Sequence, residues 1–184
     1  MFFGGEVQIM VVIITGATHT GKTRLAQLMM EKYHYPYVSE DHLKMGLIRS
    51  GYTDLTPEDD RKMTGYLWPI IREMIKTAIE NKQNFIVEGC YIPFDWKTEF
   101  TDEYLNHIKY ICLCLSDRYI DAHFTEIKQY ASCIENRLDD SDCTAEYIKR
   151  ENRYYYAGCQ EHDLDVVWIE KNYVETVTKT CLTW

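Results

Sequence analysis

Apolar residues recur along this chain in two rhythms, and each rhythm predicts a different element. Residues 9–14 form a continuous, largely β-branched run that stops at Thr15-Gly16, as a strand buried on both faces of a parallel sheet does. Met1 to Glu6, with Gly4-Gly5, reads as a loose leader ahead of it. Shorter runs at 35–39, 85–88, 110–115 and 166–169 predict four further strands. Between them the spacing changes to threes and fours, the repeat of a helix face. Leu25, Leu28 and Met29 predict a helix just past the first strand, and Leu43, Leu47 and Ile48 predict another, closed by Gly51.

Thr56-Pro57-Glu58-Asp59 has the grammar of a helix start, with Thr as cap, Pro at the first helical position and acids in the first turn. The stripe Leu67, Ile70, Ile71, Met74, Ile75, Ala78 and Ile79 carries that helix past Pro69, so a kink near Gly65 is expected. Ile120, Phe124, Ile127, Ala131, Ile134 and Leu138 make one apolar seam. The acidic turn Asp139-Asp140-Ser141-Asp142 breaks it, with Asp142 placed to cap the next helix. Five strands alternating with helices predict a single α/β domain over residues 1–184, with a mostly parallel sheet.

One stretch carries chemistry. Gly16-Ala17-Thr18-His19-Thr20-Gly21-Lys22-Thr23 fits the phosphate-loop pattern GxxxxGK[ST] at every fixed position, after a strand and before a helix. The glycines let successive backbone N–H groups wrap an anion, and the helix behind adds its positive end. Lys22 suits the β- and γ-phosphates of ATP, and the Thr23 hydroxyl suits Mg²⁺. His19 sits at a position the pattern leaves free.

In an open α/β sheet ligands bind beyond the carboxyl ends of the strands, so acids there are the next candidates. Asp41 follows the second strand and Glu88 ends the third. Asp41 suits the acceptance of a proton from an attacking hydroxyl, and either acid suits Mg²⁺; an Asp there also caps a helix well. Arg49 falls two turns beyond Asp41 and suits an acidic substrate group. Arg137, Arg150 and Arg153 suit the charge that spreads over a transferring phosphoryl group, and Arg118 is a weaker candidate. Tyr91, Phe94 and Trp96 suit either an acceptor pocket or the core.

Composition narrows the partners. With 20 basic and 29 acidic side chains the net charge is -9, and no basic run is present to hold a nucleic acid. No apolar run approaches the length of a membrane span. The seven cysteines include no CxxC pair, which points to reduced thiols and the cytoplasm. Cys112 and Cys114 read as small buried hydrophobes on opposite faces of a strand.

The loop at 16–23, the strand rhythm and the helical stretch before the last strand resemble the small P-loop kinases of the adenylate-kinase-like fold. That resemblance implies the sheet order 2-3-1-4-5, a lid-like insert at 119–158, and helices after the second strand that hold the acceptor. Ser39-Glu40-Asp41-His42-Leu43-Lys44 and Ile86-Val87-Glu88-Gly89 also resemble the zeta-toxin-like and antibiotic-phosphotransferase-like branch, which implies Asp41 as general base. This chain carries Lys44 where that branch usually has Arg. Three functions stay open: a kinase acting on a hydroxyl of a small metabolite, a nucleoside monophosphate kinase, and a nucleotide-binding module without catalysis.

Overall fold

The computed structural model describes residues 10–130 and 143–183. Residues 1–6, Arg137 and the 139–142 turn, with the cap expected at Asp142, lie outside them. Strands β1 (Val11–Gly16), β2 (Tyr37–Ser39), β3 (Phe85–Glu88), β4 (Ile108–Leu115) and β5 (Val166–Ile169) form one sheet in the order β2-β3-β1-β4-β5. Every pairing is parallel. All their carboxyl ends therefore lie along one edge, which is what gathers the candidate residues.

Helices α1 (Lys22–Tyr33) and α7 (Tyr173–Leu182) cover one face of the sheet, against Val12, Ile14, Ile86, Leu113 and Leu115. Helix α3 (Asp60–Glu80) and part of α6 (Ala145–Glu161) cover the other, against Val11, Ile13, Val87, Cys112 and Cys114. Cys112 and Cys114 thus share a face, with their sulfurs 3.8 Å apart. The expectation of opposite faces is corrected, because two residues along a strand make one full pleat repeat.

Two other elements surround the site. Helix α2 (Glu40–Arg49) follows β2 with no intervening loop, and α5 (Asp117–Tyr130) precedes α6. The long apolar stripe does form α3, with Pro69 inside it. Its start differs from the expected one. Asp59 turns its carboxylate back to accept the Thr56 amide at 3.0 Å and binds Lys62 at 2.7 Å, so 56–59 is a turn and the helix opens at Asp60.

Helix α6 is built into the layer rather than set apart from it. Tyr155 and Cys159 belong to the core, and buried Asn152 accepts the Leu115 amide at 2.7 Å while donating to Ile148 O at 2.8 Å. Lys149 pairs with Asp121, and Arg153 with Asp117, so the two helices are cross-linked one turn apart. Helix α6 begins at a Thr144 cap that accepts the Tyr147 amide at 3.1 Å. A short 3-10 turn (Trp96–Glu99) and α4 (Asp102–Leu105) complete the fold. Trp96 stacks on Tyr110 at 5.7 Å and is core, not pocket lining.

Candidate active site

The 16–23 loop is bent by its backbone. Gly16 has φ of +135°, and a Cβ there would lie 2.2 Å from the Leu113 carbonyl of β4. Gly21 has φ of +82° under the ring of Tyr173, and His19 is also left-handed at +64°. Only glycine takes the first two positions without strain and collision. No side chain caps α1 at Gly21, and the first turn of a helix is where backbone N–H groups point at an anion.

Inside the loop, Thr20 and Lys22 both donate to the Ala17 carbonyl, each at 2.9 Å. The ammonium thus rests against the loop's own backbone, within it rather than out in solvent. Thr18 Oγ1 lies 2.9 Å from Nδ1 of His19, and the Cys143 sulfur is 3.8 Å from both ring nitrogens. His19 is consequently a contact between the loop and the start of α6.

The Thr23 hydroxyl reaches across to β3 and sits 3.3 Å from each oxygen of Glu88. Glu88 is buried, and its place at the end of β3, beside β1, makes the meeting possible. A hydroxyl and a carboxylate facing one point are hard oxygen donors, the set that Mg²⁺ takes. The residues present fit that ion.

At the β2–α2 junction, Asp41 stands half exposed on the first turn of α2, at 47%, with Lys44 Nζ 3.2 Å from its Oδ1. Lys44, 13% exposed, also donates to the Tyr91 hydroxyl at 2.7 Å and lies over that ring. Beside them Met63 and Leu67 of α3 pack with Tyr91, Leu43 and Leu47 into a small apolar cluster. The sequence offered Tyr91 as pocket lining, and it lies next to Asp41's partner; Phe94 packs instead against Tyr154 and Tyr155.

Glu40 is the residue that sequence reasoning missed. It is fully buried, its Oε2 accepts the Tyr91 amide at 2.7 Å, and its Oε1 has no partner among the described residues. Burial pushes its carboxyl from 4.5 up to about 8, opposed by the Tyr91 amide and aided by the charges of Asp41 and Glu88. Gly89 makes room for it, since a Cβ at that position would fall 2.0 Å from Glu40 Oε2 and 2.5 Å from its Cβ. A signal existed: Glu40 stands three and seven residues before Leu43 and Leu47, on the inward stripe of α2.

Among the described residues, the candidate arginines lie exposed on their helices. Arg49 is exposed at the end of α2, and Arg118 is exposed on α5. Arg153 is bound to Asp117, while Arg150 lies over Tyr147 and beside Glu151.

No protein-family model matches the chain, and no curated protein matches it. Solved structures do. A deoxyadenosine kinase from M. mycoides with bound dATP superposes at a TM-score of 0.57, with 17% identity, covering 95% of this chain and 98% of that one. A gluconokinase from Sinorhizobium meliloti gives 0.56 with 12% identity, covering 95% and 91%. A sugar kinase from Janibacter gives 0.53 with 15% identity, covering 96% and 94%. The fold is that of the P-loop small-molecule and nucleotide kinases. In this chain the stretch 16–23 and the β2–α2 junction both lie at the carboxyl edge of that sheet.

Proposed function

We propose that this protein is an ATP-dependent kinase that transfers the γ-phosphoryl group to a hydroxyl of a small acceptor, with Asp41 as the base. The observation that carries the reading is the division of acids at one sheet edge. Glu88 faces Thr23 on the phosphate side, and Asp41 stands accessible beside Lys44 on the acceptor side. The structural neighbours named for sugars, gluconate and deoxyadenosine are in keeping with a hydroxyl acceptor.

In this mechanism the amides of the loop from Gly16 to Thr23 hold the phosphates, and Lys22 moves from the Ala17 carbonyl to the β- and γ-oxygens. Magnesium held by Thr23 and Glu88 would neutralise charge on those same oxygens. Asp41 takes the acceptor's O–H proton as its oxygen bonds to the γ-phosphorus. The bond from that phosphorus to the β-phosphate oxygen breaks, and ADP departs with the electron pair. Arg137, in the stretch joining α5 to α6, covers the transferring group, and Arg49 binds an acidic part of the acceptor when one is present.

A nucleoside monophosphate acceptor would call for several arginines around two phosphates. Among the described residues, Arg153 is engaged by Asp117 and Arg150 by Glu151 and Tyr147, which favours the hydroxyl reading. Asp41→Asn separates the two. The expected result is a fall in turnover of about 100-fold or more with ATP binding, measured by titration calorimetry, unchanged. A variant that keeps most of its activity would remove Asp41 from the base role.

A further inference from the structure

The acceptor side contains a closed circuit of contacts that the base alone does not explain. Glu40 Oε2 takes the Tyr91 amide at 2.7 Å, the Tyr91 hydroxyl takes Lys44 Nζ at 2.7 Å, and Lys44 pairs with Asp41 at 3.2 Å. The peptide bond from Asp41 back to Glu40 completes it. Glu40 is the fully buried member, packed against Gly89 so closely that no Cβ fits between them. Gly89 and Tyr91 belong to the segment that leaves β3 just after Glu88. The circuit therefore ties the acceptor helix α2 to the strand end that faces Thr23.

We infer that Glu40 is a positioning residue, which holds the segment after Glu88 through the Tyr91 amide and thereby sets Lys44 and Asp41 at the acceptor. The inference rests on the kinase reading for what is being positioned, and on the hydrogen-bond circuit for how. A carboxyl enclosed with one oxygen unpartnered among the described residues is a poor choice for packing alone. An apolar side chain of the same volume would avoid the desolvation, as replacements of buried charges by well-packed hydrophobes often show. What the apolar side chain lacks is the acceptor atom for the Tyr91 amide. That difference separates a positioning role from a packing one.

The test compares Glu40→Gln, which keeps an oxygen for the Tyr91 amide, with Glu40→Met, which keeps the volume and loses the oxygen. Two quantities are read on the full chain: acylation of Lys44 Nζ by acetic anhydride, followed by mass spectrometry, and ADP release from Mg²⁺-ATP with water as acceptor. Glu40→Gln should match the parent in both. Glu40→Met should remain folded by circular dichroism, react at Lys44 about tenfold faster, and lose about 10- to 100-fold in kcat with KM for ATP unchanged within about twofold.

Equal Lys44 reactivity in the parent and Glu40→Met would overturn the inference. So would a Gln variant as impaired as the Met variant, or a Met variant with parental kcat. Should Glu40→Met fail to fold, Glu40→Leu carries the same comparison with a smaller side chain. The Lys44 labelling decides the circuit without turnover, so a failure of the kinase reading against hydroxyl acceptors is distinguishable from a failure of the circuit.

Discussion

Neighbouring carboxylates on α2 have opposite surroundings, and single residues settle what each can do. Asp41 is accessible and ion-paired, whereas Glu40 is enclosed and its carboxyl is pushed up to about 8. The sign of the resulting pH dependence follows from proton counting. Below the ordinary carboxylate value of 4.5 both folded and unfolded chains carry the proton. From there to about 8 only the folded chain keeps it, so stability falls as pH rises through that window and levels off above it. Glu40→Gln has no proton to lose. Urea titrations at several pH values should show the parent losing a few kcal/mol relative to Glu40→Gln between about pH 5 and pH 8. Parallel profiles would mean that Glu40 is not held in the neutral form. At this scale the bend of the 16–23 loop was legible, because Gly16 and Gly21 take positive φ at positions where a side chain would collide. Glu40 was legible only through helical phase, since its composition does not distinguish it from the acid beside it.

Elements repeat that lesson. The strands at 85–88 and 166–169 were readable to the residue, because each is a short apolar run with turn residues on either side. The start of α3 was not, because Asp59 has two uses and the bond to the Thr56 amide prevails over a Thr56 cap. Helix α6 shows what periodicity leaves open. Ile148, Asn152, Tyr155 and Cys159 follow one inward stripe, which marks Asn152 as buried without saying that it caps the end of β4. Asn152→Ala should leave the Leu115 amide enclosed and unsatisfied. The expected loss is about 1–3 kcal/mol in urea unfolding, with α6 losing hydrogen-exchange protection first. A change under about 0.5 kcal/mol would mean that the helix is held by packing alone.

For the whole molecule, the parallel sheet places β1, β2 and β3 side by side with their ends on one edge, and that adjacency is what brings Thr23, Glu88 and Asp41 into one region. Strand order is not written in periodicity; it came from the resemblance carried by the loop and the strand rhythm. The arginine assignments drew on side-chain type, and side-chain type does not tell which acid an arginine meets, as Arg153 on Asp117 shows. If the loop holds nucleotide, Mg²⁺-ATP at a hundred times its Kd should stabilise the chain by about 2.7 kcal/mol, roughly 5–10 °C in Tm, by mass action. Lys22→Ala should remove most of that shift in a thermal scan.

The most direct test of the kinase reading is ADP release from Mg²⁺-ATP against a panel of sugars, nucleosides, other hydroxylated metabolites and nucleoside monophosphates. Stimulation by an uncharged hydroxyl compound, abolished by Asp41→Asn, is the expected result. Stimulation by monophosphates alone, or unchanged ADP release with every compound while ATP remains bound, would contradict it.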